Sequence, residues 1–312
     1  MTHTRTRTVS AVCAAAACVT ALSMTPAFQS GIRSLMAEVG LVVNDGWIMG
    51  GTGNPTPDAD YLGDVEQLYL PGGYDYHPLT TPEQFCPIIC GAGQPLSFGD
   101  SVTAGVAQLD SHVTQGLANG PESVLGYSQS ATVASVWMNE LIDSGNKNLG
   151  NLHVTLLGDP NSPIGGILDR FQFPDGVGHF SLSPEPQHIP FLGIPMSLDP
   201  TPVGIHTDIY TGEYDGWANF PSDPSNLFAD INALIGIETV HPYYPDPTAG
   251  VNLDPGHIIP LGSIDYTNFY AIPAPLPTLA FMYDGGPVGR FFYDSFSPAA
   301  KLVDESGATG CH

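Results

Sequence analysis

Gly-Tyr-Ser-Gln-Ser, residues 126–130, joins two segments that have different hydrophobic patterns. Val124 and Leu125 precede it and are typical of a buried strand, and small and apolar residues follow it with helical spacing. The stretch therefore predicts a strand, a sharp turn that carries Ser128, and a helix. Such a turn lifts the serine hydroxyl clear of the sheet and points the backbone N–H of Gln129 at a developing oxyanion.

The turn matches the pattern Gly-x-Ser-x-Gly except at its last position, where Ser130 replaces glycine. Only a small residue fits there, because the helix must pass close to the strand, and serine meets this limit with some strain. A chance Gly-x-Ser in a chain rich in glycine and serine is the alternative. The strand and helix patterns on either side favour a nucleophilic serine.

Composition and charge limit the classes of function. The chain has 312 residues, of which 42% are apolar, and this is enough for the core of one large α/β domain or two small ones. Seven Lys and Arg residues stand against 31 Asp and Glu residues, for a net charge of −24. This charge argues strongly against a nucleic-acid partner, because binding that polyanion requires cations that neutralise it, and it disfavours an anionic membrane surface for the same reason. No protein partner is inferred.

Residues 1–27 are typical of a secretory signal peptide. Arg5 and Arg7 form its basic start, an apolar stretch follows, and a small-residue cleavage site ends at Ala27. About fifteen apolar residues are too few to span a bilayer comfortably, which argues against a membrane anchor. A lipid anchor at Cys18 is a weaker alternative, because no leucine-like residue precedes it. We expect a protein that is secreted or held in the cell envelope.

The rest of the chain predicts one domain. We assign residues 28–45 to a lead-in, 46–285 to the domain and 286–312 to a C-terminal tail, because no repeat or second composition regime occurs. Residues 98–117 have apolar positions every three or four residues, which predicts an amphipathic helix. That helix can connect a strand at the start of the domain to the strand before the serine turn, as a parallel sheet requires.

Two strands and a helix are predicted further along the chain. The strands lie near 152–157 and 208–213, where apolar residues are concentrated. An Asp-Pro dipeptide at 223–224 is typical of a helix start, with Asp223 or Ser222 as the N-cap. The buried face of this helix is predicted to consist of large apolar residues: Leu227, Phe228, Ile231, Leu234 and Ile235.

Residues 160–206 are rich in proline and show no lasting periodicity. A loop of this length in a compact domain is usually functional or disordered. We expect an apolar lid over the site, with a packed excursion of the chain as the alternative. The candidate substrate contacts in this lid are Phe191, Leu192, Ile194 and Met196.

The cysteines of the domain indicate a disulfide and no metal site. Cys86 and Cys90 are expected to form a short disulfide loop in an oxidising compartment, which leaves Cys311 as an odd residue. No second cysteine pair or spaced histidine pair lies nearby, so no metal is predicted. No cofactor is predicted either, because prolines follow the glycine-rich loop at 50–53, where a phosphate-binding helix would begin.

The same glycine-rich loop has another use beside a nucleophilic serine. It can bring a second backbone N–H to the oxyanion hole, and Thr52 or Gly53 is the expected donor. A plain turn is the alternative.

A nucleophilic serine needs a histidine base and a carboxylate that orients the base. His241 is the favoured base, since it lies on a loop after the last strand–helix unit, and His257 is the alternative. Asp215 and Asp159 both follow a predicted strand. Asp215 is favoured as the acid because its strand comes later in the chain.

With these positions identified, the chain resembles the PE-PPE domain hydrolases of mycobacteria and their relatives, which are akin to cutinases. The resemblance covers about residues 46–285 and rests on five blocks in the family's order. The blocks are Gly50-Gly51-Thr52-Gly53, Gly126-Tyr127-Ser128-Gln129-Ser130-Ala131, Gly165-Gly166-Ile167-Leu168 with Arg170-Phe171, Tyr214-Asp215-Gly216-Trp217 with Phe220-Pro221, and Val240-His241 with Tyr244. Two departures are Ser130 and the signal peptide, which stands where fused members carry a PE or PPE leader.

The resemblance implies an α/β-hydrolase fold, with a mainly parallel central sheet flanked by helices and a proline-rich lid insertion. It also implies Ser128, Asp215 and His241 as a catalytic triad that acts on acyl esters or on glycolipids of the cell envelope, with peripheral contact to envelope lipids. One alternative is an acyltransferase that moves acyl groups between envelope glycolipids with the same triad. The other is a non-catalytic envelope-binding module.

Overall fold

The computed structural model describes residues 44–89, 93–172, 181–182, 202–223, 225–247, 249, 253–280, 291 and 294–295. The chain divides into two units, 1–43 and 44–312, and every described residue belongs to the second unit. The predicted signal peptide therefore lies outside the described residues. So do the four candidate lid residues: Phe191, Leu192, Ile194 and Met196.

The described residues form nine strands. They are β1 (Asn44–Ile48), β2 (Tyr74–Pro78), β3 (Glu122–Tyr127), β4 (Leu152–Leu157), β5 (Phe171–Gln172), β6 (Ser181–Leu182), β7 (His206–Gly212), β8 (Ile259–Ile264) and β9 (Thr267–Ile272). Seven of them form one sheet in the order β2-β1-β3-β4-β7-β9-β8, and β5 pairs separately with β6. All neighbours in the large sheet are parallel except β8 and β9. The predicted mainly parallel sheet is confirmed.

Five α-helices accompany these strands in the described part of the chain. They are α1 (Ala59–Tyr69), α2 (Phe98–Val113), α3 (Gln129–Asp143), α4 (Ile167–Arg170) and α5 (Leu227–Thr239). The Ser97 hydroxyl caps α2 by accepting from the N–H of Asp100. The predicted α/β-hydrolase fold, with helices flanking the sheet, is confirmed.

Helix α5 differs from its prediction at both its start and its buried face. The helix begins at Leu227, and Asn226 caps it instead of Asp223 or Ser222. Leu227, which was predicted to be buried, is 68% exposed. Two further residues of the predicted face are also exposed: Ile231 and Leu234. The buried side consists of small or polar residues: Ala229, Asn232, Ala233 and Gly236.

Close backbone packing explains which side of α5 is buried. A Cβ on Gly236 would lie 1.7 Å from the carbonyl oxygen of Tyr214, and a Cβ on Gly216 would lie 2.2 Å from that of Ala233. The helix therefore rests directly on the 214–216 turn. Only small residues fit at the closest points of this contact, and Leu227, Ile231 and Leu234 lie on the outer side.

The sheet is covered on both faces. Val124 and Leu125, which alternate on β3, belong to two different core clusters. Val124 packs in the cluster that contains Leu109 of α2 and Trp137 of α3, whereas Leu125 packs in the cluster that contains Val65 of α1. Burial on both faces is typical of the centre of a parallel sheet.

The carboxyl ends of the parallel strands lie at one edge of the sheet. Ser128 follows β3, Asp159 follows β4 and Asp215 follows β7, so all three of these candidate residues lie at this edge. Among the described helices, none has the length and apolar character needed to cross a membrane.

Candidate active site

Ser128 occupies the turn between β3 and α3. Its φ of 57° and ψ of −117° lie outside the regions that non-glycine residues favour, as expected of a strained turn that presents a nucleophile. Its backbone N–H donates to the carbonyl of Leu157 at 3.0 Å, which fixes the turn to β4. Its hydroxyl oxygen lies 2.7 Å from Nε2 of His241. The predicted turn therefore holds the hydroxyl against an imidazole.

The close approach of helix α3 to strand β3 falls on Gly126. A Cβ there would lie 2.5 Å from the carbonyl oxygen of Ser130, so no larger residue fits without moving the backbone. Ser130 itself is fully buried, and its hydroxyl accepts from the N–H of Tyr127 at 2.8 Å and donates to the Tyr127 carbonyl at 3.1 Å. Serine is thus accommodated at the last position of the pattern by two local hydrogen bonds.

His241 connects the serine to a buried carboxylate. Its Nδ1 lies 2.8 Å from Oδ2 of Asp215, and its Nε2 faces Ser128. This geometry requires that Nδ1 carries the proton donated to Asp215, which leaves Nε2 free to accept from the serine. Asp215 is completely buried, and its other oxygen accepts from the N–H of Trp217 at 2.9 Å. The three favoured residues form one continuous hydrogen-bond chain.

The alternative candidates are engaged elsewhere. His257 is 81% exposed in its side chain and pairs with Asp254 at 2.7 Å. The Asp159 carboxylate accepts from the N–H of Asn161 at 3.0 Å. The hydrogen bonds of the site therefore favour His241 over His257 and Asp215 over Asp159.

Gly158 lies against the imidazole at the end of β4. Its φ is +55°, and a Cβ would lie 3.0 Å from Cε1 and 3.1 Å from Nδ1 of His241. We expect Gly158→Ala to lower kcat about 10- to 100-fold, since small displacements of a catalytic group have effects of this size. We also expect a destabilisation of about 1–2 kcal/mol from the left-handed backbone.

Gly145→Ala is the matched control for this prediction. Gly145 has a φ of +71° and no atom within 4 Å of its Cβ position. An alanine there is therefore destabilised by its left-handed backbone but contacts no residue of the site. Its denaturant midpoint should fall while its kcat stays at the wild-type value. Equal kcat values for the two variants would contradict the contact between residue 158 and the imidazole.

Two segments carry the residues predicted for an oxyanion hole. Gln129 is the first residue of α3, where a helix leaves its N–H groups without an intrahelical acceptor. Its side chain is held away from this N–H, because Nε2 donates to the carbonyl of Gln84 at 2.8 Å. In the glycine-rich loop the N–H of Gly53 donates to the carbonyl of Glu83 at 2.9 Å. Thr52, which lines the same cavity as Ser128, is therefore favoured over Gly53 as the second donor.

Glu83 is a supporting residue that the sequence patterns did not indicate. It is buried, has a φ of +48°, and its carbonyl accepts from Gly53. Burial raises the pKa of its carboxyl to about 8, and one carboxyl oxygen accepts from the hydroxyl of Thr81 at 2.8 Å. The backbone carbonyl of Glu83 thus holds the glycine-rich loop in place by its hydrogen bond with the N–H of Gly53.

Burial also raises the pKa of the Asp159 carboxyl, to about 7. The pKa of this carboxyl is lower in the unfolded chain, so between about pH 4 and pH 7 the native state keeps a proton that the unfolded state has lost. The free energy of unfolding therefore decreases as pH rises through this range. Asp159→Asn removes the titration and keeps an oxygen for the N–H of Asn161. We expect its stability relative to wild type to rise over this range, by on the order of 2 kcal/mol.

Urea unfolding at a series of pH values measures this effect. Asp64→Asn, an exposed substitution on α1, is the control and should follow the wild-type curve. If Asp159→Asn also follows that curve at every pH, the buried carboxyl does not titrate as described.

A cavity of about 420 Å³ opens at Ser128. Its lining residues are Thr52, Phe85, Ile88, Ile89, Phe98, Tyr127, Ser128, Gln129, Pro160, Leu168, Trp217, Ile237, Glu238, His241 and Pro242. Most of them are apolar, which suits a hydrophobic ligand, and the volume is typical of a small-molecule site. No group of three or more His, Cys, Asp or Glu residues in the described chain is arranged to hold a metal ion.

The segment at Phe85–Ile89 forms part of the cavity wall. Ile88 and Ile89 are largely exposed there, and the N–H of Ile89 donates to the carbonyl of Phe85 at 2.7 Å. This places the predicted Cys86 to Cys90 loop beside the candidate site. Cys90 lies outside the described residues, so the disulfide stays a prediction.

Comparison with known proteins connects this site to named relatives. Esterase PE16 of Mycobacterium tuberculosis (strain ATCC 25618 / H37Rv) is 34% identical over 248 residues, which cover 76% of this chain and 43% of that protein. Uncharacterized PPE family protein PPE28 of the same strain is 37% identical over 205 residues, covering 64% of this chain and 29% of that protein. Diacyltrehalose acyltransferase Chp2, also of this strain, is 29% identical over 163 residues, covering 47% and 40%.

The chain spans less than half the length of each of these curated relatives. The family described as PE-PPE domain matches residues 71–306, which is more than half of the chain. The matched region contains Ser128, Asp215 and His241, and begins after the glycine-rich loop. The chain therefore belongs to the PE-PPE domain family.

Proposed function

We propose that this chain is an exported serine esterase that cleaves acyl esters through an acyl-enzyme on Ser128. The observation that carries the proposal is the hydrogen-bond chain from Ser128 through His241 to Asp215, at the wall of a mostly apolar cavity. The similarity to a protein named Esterase PE16 supports an ester as the substrate. Export rests on the signal-peptide pattern of residues 1–27.

In the first half-reaction Ser128 Oγ attacks the ester carbonyl carbon while His241 Nε2 takes the hydroxyl proton. The carbonyl oxygen becomes an oxyanion, which the N–H groups of Gln129 and Thr52 stabilise. The intermediate then breaks its bond to the leaving alcohol, and His241 donates its proton to that oxygen. The acyl group remains on Ser128. The Asp215 carboxylate accepts from His241 Nδ1 and stabilises the imidazolium throughout.

Water completes the cycle of an esterase. His241 accepts a proton from the water as its oxygen attacks the acyl carbon, and the second intermediate returns that proton to Ser128 Oγ as the carboxylic acid leaves. The apolar side chains of the cavity, such as Phe85, Leu168 and Trp217, suit the acyl part of the substrate.

An acyltransferase is the second candidate, and the similarity to Diacyltrehalose acyltransferase Chp2 favours it. The chemistry differs only in the second step, where a sugar hydroxyl takes the place of water. Exclusion of water by an apolar lid would favour this outcome. Both reactions use the same three residues, so only product analysis distinguishes them.

The test is turnover of p-nitrophenyl esters, from short to long acyl chains, with and without a trehalose-type glycolipid acceptor. Hydrolysis that the acceptor does not divert supports the esterase. Acyl groups that appear on the acceptor support the transferase. Absence of turnover on every ester, together with no labelling of Ser128 by a fluorophosphonate, would contradict both and favour the non-catalytic envelope-binding module.

A further inference from the structure

Tyr244 contacts the acid of the triad directly. Its hydroxyl donates to Oδ2 of Asp215 at 2.7 Å and accepts from the backbone N–H of Gly212 at 2.5 Å. The side chain is completely buried. Both hydrogen-bonding functions of the phenol are thus occupied, and the donor is directed at the carboxylate.

The oxygen that Tyr244 contacts is the one that His241 uses. Asp215 Oδ2 lies 2.8 Å from His241 Nδ1, so a single carboxylate oxygen accepts from both the imidazole and the phenol. Burial and the negative charge of Asp215 raise the pKa of the Tyr244 hydroxyl well above its ordinary value. The phenol therefore stays protonated and remains a donor in the neutral pH range.

The surrounding backbone leaves space for this phenol. A Cβ on Gly212 would lie 3.0 Å from the Tyr244 hydroxyl, so a larger residue at the end of β7 would press on it. The carbonyl of Tyr244 accepts from the hydroxyl of Tyr69 at 3.1 Å, which ties the segment after His241 to α1. Hydrogen bonds therefore fix Tyr244 both at its hydroxyl and at its backbone carbonyl.

We propose that Tyr244 is a positioning residue of the triad, whose hydroxyl orients the Asp215 carboxylate and weakens its pull on the His241 proton. It thereby sets the pH at which His241 becomes a neutral base. As a role in catalysis this inference rests on the proposed esterase function, but the effect on the imidazole is measurable without turnover.

The sign of the effect follows from the charge on Asp215. In Tyr244→Phe the carboxylate loses one donor, so its negative charge acts more strongly on His241 and favours the imidazolium. The midpoint of the His241 titration should move to higher pH. A purely structural role would lower stability and leave this midpoint where it is.

Other titratable side chains surround the dyad from each packed element. Around Asp215 and His241, Tyr127 at the end of β3 stacks on the His241 ring, Tyr69 on α1 donates to the Tyr244 carbonyl, and Glu238 on α5 lines the same cavity as His241. Tyr61 on α1 and Asp159 after β4 are the next titratable side chains on those elements. Tyr244→Phe changes none of them, so the shift reports on the Tyr244 hydroxyl.

The experiment is an NMR titration of the His241 Cε1 signal in the whole chain, assigned by its loss in His241→Gln. We expect the His241 midpoint in Tyr244→Phe to rise by about half to one pH unit. The acidic limb of the pH profile of kcat/KM should shift to higher pH by the same amount. Tyr69→Phe is the matched control, because it removes a phenol hydroxyl bonded to the same segment without contacting Asp215. Its midpoint should equal that of the wild type.

An unshifted midpoint in folded Tyr244→Phe would overturn the inference, and so would an equal shift in Tyr69→Phe. If Tyr244→Phe does not fold, incorporation of 3-fluorotyrosine at position 244 alone keeps the hydroxyl and makes it a stronger donor. The midpoint should then fall, and no change would overturn the inference. A wild type without turnover contradicts the esterase proposal alone, because the NMR midpoint still decides the role of Tyr244.

Discussion

Ser128→Ala is expected to lower kcat/KM for an acyl ester by about 10⁴- to 10⁶-fold, because no other atom can take the place of the hydroxyl that His241 activates. The residual rate comes from substrate binding and the oxyanion donors, which this substitution leaves in place. Initial rates on a p-nitrophenyl ester over a range of substrate concentrations measure the loss. We expect little change in stability, since the substitution removes one oxygen at the wall of an open cavity.

Ser135→Ala is the matched control for this substitution. Ser135 is a buried serine on the same helix, α3, and does not line the cavity. Its variant should keep kcat within a few-fold of the wild type. An active Ser128→Ala protein, or equal losses in both variants, would show that the serine turn is not the source of the activity.

Asp215→Asn is expected to lower kcat about 10⁴-fold with little change in KM. The amide can donate to His241 Nδ1, which favours the imidazole tautomer that has its proton on Nε2. That tautomer cannot accept the proton of Ser128. The buried site also loses the negative charge that stabilises the imidazolium.

Two further variants accompany this prediction. Asp159→Asn changes the other carboxylate at the same sheet edge and should retain kcat within a few-fold. Asp254→Asn removes the negative charge beside His257 and should also leave kcat unchanged. A large loss in Asp159→Asn with a small loss in Asp215→Asn would exchange the two assignments.

The features that the sequence predicted well are local. The strand, turn and helix around Ser128 lie within one short stretch, and the carboxyl ends of parallel strands necessarily share an edge. The chain order of nucleophile, acid and base then limited the choice to Asp215 or Asp159 and to His241 or His257. Side-chain hydrogen bonds across the fold were needed to distinguish within each pair.

The prediction of the buried face of α5 was wrong for a physical reason. Leu227 and Ile231 are more hydrophobic than Ala233, so the sequence pattern predicted that the larger side chains would be buried. In the structure the helix lies so close to the 214–216 turn that only Gly236 and its small neighbours fit. Close backbone contact between segments far apart in sequence has no signature in a local hydrophobic pattern.

The supporting residues of the site were missed for the same reason. Gly53 and Thr52 are equivalent in the sequence, and only the long-range hydrogen bond from Gly53 to Glu83 distinguishes them. Tyr244 contacts Asp215 across 29 residues of sequence. The sequence singled out Tyr244 only as part of the family block with Val240 and His241, and the block did not indicate what the residue does.

Intact-protein mass spectrometry after reaction with a fluorophosphonate, followed by peptide mapping, tests directly whether Ser128 is the nucleophile. We expect one adduct per chain, located on Ser128, formed more slowly in the presence of an acyl ester and absent in His241→Gln at the same exposure. An adduct on a different serine, or no adduct in the folded wild type, would contradict the assignment of Ser128 as the nucleophile.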